Sequence, residues 1–307
     1  MKKLLSVVCL LCSIALLSSC KKEVAVEYKF EFGGEGNENG KFKYIEDFYF
    51  DANENLLITD AIRRDVQFFT RKGKLLKILK NDLLFEKPEG IGVDSVGNIF
   101  VADYINGKIF KFTKDLQFIK EFSGIGDGAG QTIESEFMTI HPNGNIYLAE
   151  AGNNRISVFS TEGKFKFSFG RLGSGRGDFK RPEAVKHDSK GNLWITDLQN
   201  HRIQKFDEKG IFIKEFGGRG ATAGKFKRPT GIAIDRFDNI YVTDNGNNRI
   251  QVFSKEMTFL YEFTAGGKSG REFSNLHGII VNSSGEIFVA DTGNNRVQVY
   301  QVRDWKK

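Results

Sequence analysis

The amino-acid sequence predicts an all-β fold, a six-bladed β-propeller of four-stranded antiparallel blades closed by the N-terminal strand. Three observations predict it. The first is a phrase, read at residues 243–253 as TDNGNNRIQVF, in which an acid, a cluster of turn residues and an arginine lead into alternating apolar residues. Its acid recurs as Asp60, Asp103, Glu150, Asp197, Asp244 and Asp291, at spacings of 43, 47, 47, 47 and 47 residues. A period of this length is that of one four-stranded propeller blade. The second observation is the texture inside each unit. In the fifth, GIAID, NIYVTD, RIQVF and FLYEF are separated by RFD, NGNN and SKEMT. β-Branched and aromatic residues fill the strands, and turn-forming Asn, Asp and Gly recur in the breaks. The 29 Phe and 8 Tyr of the chain point the same way, since aromatics favour strands. The third observation concerns the ends. The sixth unit stops after its third strand, RVQVY at 296–300, whereas EYKFEFGG at 27–34 matches the fourth-strand text FIKEFGG at 212–218. Residues 28–32 are therefore expected to complete the last blade and cover its free edge.

Ahead of the repeats stands a different kind of segment. MKK is basic, and the 14 residues LLSVVCLLCSIALL at 4–17 are apolar. The run is shorter than the roughly 20 residues that span a bilayer and suits a secretion signal. It ends in LSSC at 17–20, which resembles the lipobox of bacterial lipoproteins, in which the cysteine is acylated and becomes the first residue. That resemblance implies a signal peptide at 1–19, a lipid on Cys20, a spacer at 20–27, the propeller at 28–302 and a tail at 303–307. It also implies a bacterial cell envelope location held to the membrane by the lipid; Lys21 after the cysteine favours the outer membrane or cell surface. Cys9 and Cys12 leave with the signal, so the mature domain has no disulfide, thiolate metal site or thiol nucleophile. Losing Lys2 and Lys3 lowers the formal charge from +6 to +4, too mild to argue for nucleic acid as a partner.

Five residues after the acid stands an arginine in the last four units, Arg155, Arg202, Arg249 and Arg296; the first two units have Asp65 and Lys108 instead. RPTGIAIDRFDNIYVTDNGNNRIQVF at 228–253 resembles a full NHL repeat, and the chain resembles a bacterial NHL-repeat, six-bladed propeller lipoprotein over 28–302. The match is most specific in units four to six. It is loosest in unit one, YIEDFYFDANENLLITDAIRRDVQFF, which lacks the proline and the arginine. The acid ends the second strand of each unit and the arginine starts the third, so both flank one hairpin turn. A carboxylate there can accept turn N–H groups and pair with the arginine. A site written six times is not one active site; the phrase reads as scaffold.

Motif-like strings fail on context. GIGDGAG at 124–130 has no following helix to receive a phosphate, and GGKS at 266–269 lacks the upstream glycine of a phosphate loop. There is no G-x-S-x-G and no H-E-x-x-H. His141, His187 and His201 are too dispersed in blade position for a triple-histidine site and read as surface or turn residues. Comparing equivalent positions is more informative. The residue before each first strand, the middle letter of P-x-G, is Glu46, Glu89, Glu136, Glu183, Thr230 and His277. First strands line the channel of a propeller, so these residues are expected to ring one mouth, the face on which propellers usually bind. Around it lie Arg171, Arg176, Lys180, Arg181, Arg219, Lys225, Lys227, Arg228, Lys268 and Arg271, a basic girdle suited to an anionic glycan or a peptide carboxylate. Phe42, Phe85, Phe179, Phe226 and Phe273 share one register and read as blade packing rather than a base-stacking platform.

The functional expectation is a membrane-tethered, non-catalytic binding module that holds a protein, peptide or glycan at the channel mouth, with Arg181 and Arg228 beside the ring. The alternative is a metal-dependent propeller enzyme of the lyase or lactonase type. No cofactor motif is present, but Glu89, Glu136, Glu183 and His277 offer ligands to a divalent cation: Ca²⁺ by their oxygens, Zn²⁺ by the imidazole.

Overall fold

The computed structural model describes residues 26–266 and 272–303. The signal segment, Cys20, most of the expected spacer, Lys268 and Arg271 lie outside the described residues. The chain forms six antiparallel sheets of four strands, at 45–80, 88–123, 135–169, 182–217, 229–263 and 276–302, the last completed by the N-terminal strand. That strand, Val26–Gly33, starts within the expected spacer. It runs antiparallel to Arg296–Val302, from Val26 opposite Val302 to Gly33 opposite Arg296. First and last segments thus close the ring by backbone pairing.

First strands contact the first strands of neighbouring blades and line the channel. Fourth strands lie outermost, and Phe165–Phe169 alternates half-buried and exposed residues accordingly. The apolar core is six clusters at the junctions between adjacent blades; Leu57 and Val66 of blade one, for instance, meet Ile99 and Phe110 of blade two. The five equivalent phenylalanines, Phe42, Phe85, Phe179, Phe226 and Phe273, are buried in these clusters and so serve packing, at roughly 1.5–3 kcal/mol of burial each.

The repeated phrase holds each blade together and more. In blade five, Asp244 ends Ile240–Asp244 and Arg249 opens Arg249–Phe253, directly opposite it. Arg249 Nε donates to Asp244 Oδ2 at 2.8 Å, and Asn247 and Gln251 donate to the same carboxylate. The acid also accepts backbone N–H groups from the loop before the first strand: Lys227 for Asp244, Lys180 for Asp197, Glu86 and Lys87 for Asp103, Lys43 and Tyr44 for Asp60. That loop leads into the mouth residues, so the scaffold phrase also fixes the mouth.

The two departing units solve the problem differently. In blade one Arg63, on the turn itself, pairs with Asp65 at 2.8 Å and donates to the carbonyls of Gly36 and Glu38. Arg155 makes the corresponding bonds to Asp127 and Gly128 in blade three. In blade two Lys108 turns outward to the exposed Glu121. One histidine differs from expectation. His141 is only 4% exposed, packed edge-to-face on Tyr147 and on His187 at ring-centre distances of 5.3 and 5.2 Å. Its ring lies inward because Nε2 meets the carbonyl of Gly191 in the next blade. His201 does sit in a turn, with a left-handed φ of 58°. Among the described residues, no helix is long and apolar enough to cross a membrane.

Candidate functional site at the channel mouth

The P-x-G sequence explains how the mouth is built. Proline begins the strand, x points into the channel and glycine admits the neighbouring blade. A Cβ on Gly90, Gly231 or Gly278 would lie 2.3, 2.2 or 2.4 Å from the backbone oxygen of Glu136, His277 or Glu46 in the next blade, which no side chain tolerates. Threonines on second strands bind ring carbonyls as well: Thr59 Oγ1 donates to Glu89 O at 2.6 Å and Thr243 Oγ1 to His277 O at 3.1 Å. Glu46, Glu89, Glu136 and His277 are therefore held through their backbones, leaving their side chains to line the cavity.

All six expected ring residues, Glu46, Glu89, Glu136, Glu183, Thr230 and His277, line one cavity of about 200 Å³, and Arg181 and Arg228 line it with them. Two further tiers join them. Tyr44, Lys87 and Asn275 stand two residues before the ring, in the register of Arg181 and Arg228, and Tyr104, Leu198 and Asn245 directly follow the repeated acid. Sequence reasoning named only Arg181 and Arg228 of the first tier and none of the second, although the repeat register, extended by two residues, marks the rest.

Cations stand among the carboxylates. Lys87 Nζ lies 2.5 Å from Glu89 Oε1 and 4.0 Å from the centre of the Tyr104 ring. Arg181 forks between Glu134 at 2.6 Å and Glu136 at 2.8 Å. Its Nε is 3.6 Å from Glu183 Oε2, beyond hydrogen-bond reach. His277 Nδ1 approaches Glu46 Oε2 to 2.7 Å, but in a direction that forms no hydrogen bond, so both atoms stay without one, as does Glu183 Oε2. Arg228 sits at the exposed rim.

Burial and crowding govern the protons. Burial raises Glu46 well above the ordinary carboxyl range, with Lys87 opposing and Glu183 reinforcing. Burial, then repulsion from Glu183 and Glu89, raises Glu136 likewise. Glu89 is pushed up to about 7 by burial and by Glu46, and burial raises Glu183 against the pull of His277 and Arg181. His277 is lowered by burial despite Glu183 and Glu89, so its contact with Glu46 is not an ion pair at neutral pH. Burial works against the charges of Lys87 and Arg181, yet Glu89 and Glu136 outweigh it and raise both. The crowded carboxylates are thus relieved by protons and by two basic side chains.

One layer below, Lys186 of blade four reaches across the channel to Asp47 of blade one at 3.2 Å and donates to Met138 O at 3.1 Å. This strut floors the mouth and separates it from a cavity of about 250 Å³ at the opposite end, walled by Tyr49, Ile232, Ile234 and Ile279. The site does not suit a divalent cation. Among the described residues no group of three or more His, Cys, Asp or Glu is arranged to hold a metal ion. Lys87 and Arg181 occupy the space between the carboxylates that such an ion needs.

Comparison with known proteins agrees with this architecture. The NHL repeat family matches residues 226–253 and 273–300, in blades five and six. A search of curated proteins finds no match. Among solved structures, virginiamycin B lyase from Staphylococcus aureus superposes with a TM-score of 0.63 at 16% identity, over 91% of this chain and 100% of that one. An auxiliary nutrient binding protein from Bacteroides ovatus gives 0.68 at 16%, over 92% and 78%. A gluconolactonase from Xanthomonas campestris gives 0.64 at 12%, over 85% and 87%. Identities this low speak for shared fold alone. The chain is a six-bladed β-propeller that carries NHL repeats.

Proposed function

We propose that the protein is a membrane-tethered binding module, non-catalytic, whose channel mouth holds a polar group of a protein, peptide or glycan partner. The observation that carries this reading is the state of Glu46 and Glu183. Both are buried, both line the mouth cavity, and the buried Oε2 of each finds no hydrogen-bond partner among the described residues. Leaving such a group unbonded costs about 1–3 kcal/mol, more when it is charged, an expense typical of a site shaped for a ligand. The nutrient-binding protein of Bacteroides ovatus gives a precedent for binding on this fold. Tethering rests on Cys20. Several acyl chains bind a bilayer firmly where one does not, so Cys20→Ser is expected to move the protein to the soluble fraction.

The binding reading is tested by titrating the purified protein with a panel of monosaccharides, amino acids and dipeptides by calorimetry, then recovering each ligand for mass spectrometry. At least one compound should bind, change tenfold or more in affinity in the Arg181→Ala variant, and be recovered unchanged. A compound recovered as a product would make the protein an enzyme. Equal binding by Arg181→Ala would move the site away from the mouth.

A further inference from the structure

We infer that the mouth recognises a primary ammonium group, seated between Glu46 and Glu183. The inference rests on the mouth being the ligand site and names the chemistry it selects. Glu46 belongs to blade one and Glu183 to blade four, opposite positions in a ring of six, so they approach the same central space from opposite sides. Glu89 has Lys87, and Glu134 and Glu136 are hydrogen-bonded by Arg181, whereas Glu183 Oε2 has only Arg181 Nε at 3.6 Å, too far for a hydrogen bond, and Glu46 Oε2 only His277. The nearest cation beneath, Lys186, is engaged by Asp47 and Met138 O. In the cavity lining four carboxyls (Glu46, Glu89, Glu136 and Glu183) thus face three cations (Lys87, Arg181 and Arg228), and the buried Oε2 atoms of Glu46 and Glu183 are the ones left without a hydrogen bond.

Charge and geometry then select among ligands. A neutral hydroxyl can bond one of these carboxyls but leaves the surplus negative charge, or the protons that mask it, in place. Calcium needs roughly six or more oxygens and zinc about four nitrogen, sulfur or oxygen ligands, and among the described residues no three His, Cys, Asp or Glu are grouped to begin either set. An ammonium brings one positive charge and three N–H donors that bond at ordinary distances near 2.9 Å. Glu46 and Glu183 take one each, and His277 Nδ1, kept neutral by burial and 2.7 Å from Glu46 Oε2, shares the N–H directed at Glu46. At about 30 Å³ of liquid volume per water molecule, a cavity of about 200 Å³ has room for a group the size of a monosaccharide or an amino acid.

An amino sugar and a peptide N-terminus both carry this group, and calorimetry separates them. The probes are D-glucosamine with N-acetyl-D-glucosamine, and L-alanyl-L-alanine with its N-acetyl derivative. In at least one pair the free amine should bind ten times or more tighter than its acetylated partner, and the pair that discriminates names the source. The Glu46→Gln, Glu183→Gln double variant should lose that discrimination while melting no lower than wild type, since both amides are neutral isosteres. Acetylated and free forms binding alike would overturn the ammonium while leaving the mouth as a site. Amines binding wild type and double variant alike would overturn the seat between Glu46 and Glu183. If none of the four probes binds at millimolar concentration, the ammonium inference is wrong, and the mouth is judged by the wider panel.

Discussion

Replacing Arg249 by alanine probes whether the repeated phrase is scaffold. The Arg249 side chain is 8% exposed and its partner Asp244 is 0% exposed. Truncation removes the 2.8 Å bond to Asp244, the 2.8 Å bond to Glu262 and the two donors received by the carbonyls of Thr222 and Lys225. Asp244 would keep Lys227 N, Asn247 and Gln251 but lose its counter-charge in a buried setting. Removing one partner of a buried pair costs about 3–5 kcal/mol. Blade two supplies the control: Lys108 occupies the equivalent position, yet pairs with Glu121 at 2.6 Å where both side chains are 38% exposed, so Lys108→Ala should cost less than about 1 kcal/mol. Urea unfolding followed by far-ultraviolet circular dichroism and by the fluorescence of the buried Trp194 measures both. Repeating it in 1 M salt, where the screening length falls to about 3 Å, should erase the Lys108 effect and spare most of the Arg249 effect. A cost below about 1 kcal/mol for Arg249→Ala, or one that salt removes, would refute the scaffold reading.

Other outcomes follow from the same geometry. Carboxyls raised in the folded state are protonated there while the unfolded chain has already ionised, so stability should fall as pH rises from about 4.5 through the folded value of about 7 for Glu89. At about 1.4 kcal/mol per pKa unit its ceiling is roughly 3 kcal/mol. His277, lowered by burial, acts oppositely, its contribution being lost as pH falls below the ordinary 6.5. Glu89→Gln should flatten the pH profile of the urea midpoint between 5 and 8, and an unchanged slope would contradict the burial of that charge. Gly231→Ala drives a Cβ to 2.2 Å from His277 O and should cost about 1–3 kcal/mol or more, whereas Gly124→Ala, which meets nothing within 4 Å, should be near neutral; thermal melts compare them. A chain starting at Val26 should melt like the intact protein. One starting at Glu35 bares the edge of Arg296–Val302 and should scatter light on warming, and equal behaviour of the two would deny ring closure.

The blades and the ring of P-x-G residues could be read from the chain because both depend on period alone: a strand pair and its turn repeat wherever the residues do. The equivalent phenylalanines were legible for the same reason. What the repeat hid was the tier of Tyr44, Lys87, Glu134 and Asn275, since their identities vary from blade to blade and look like loop composition until aligned. Which long side chain reaches a given carboxylate was not legible at all. Arg181 serves three glutamates of two blades because a guanidinium spans the distance between neighbouring first strands, a length that appears only once the ring is closed. The missing arginine of blade one was misleading in the opposite sense. Arg63 does the same work from two residues earlier, because the turn folds it back over Asp65.

The strand that closes the ring also decides how the molecule hangs. Val26 lies at the Val302 end of the last blade, beside the turn whose Gly285 carbonyl accepts Val302 N. Seven residues later, about 23 Å away at strand rise, Gly33 emerges beside Arg296, at the level of the turns that edge the mouth. Whatever precedes Val26 therefore joins the body from the back, like the stem of a cup. A surface holding the protein by that stem would see the floor of the channel, while the opening looks outward into the medium. Shortening the stem would bring the body closer to the surface without ever shading the opening.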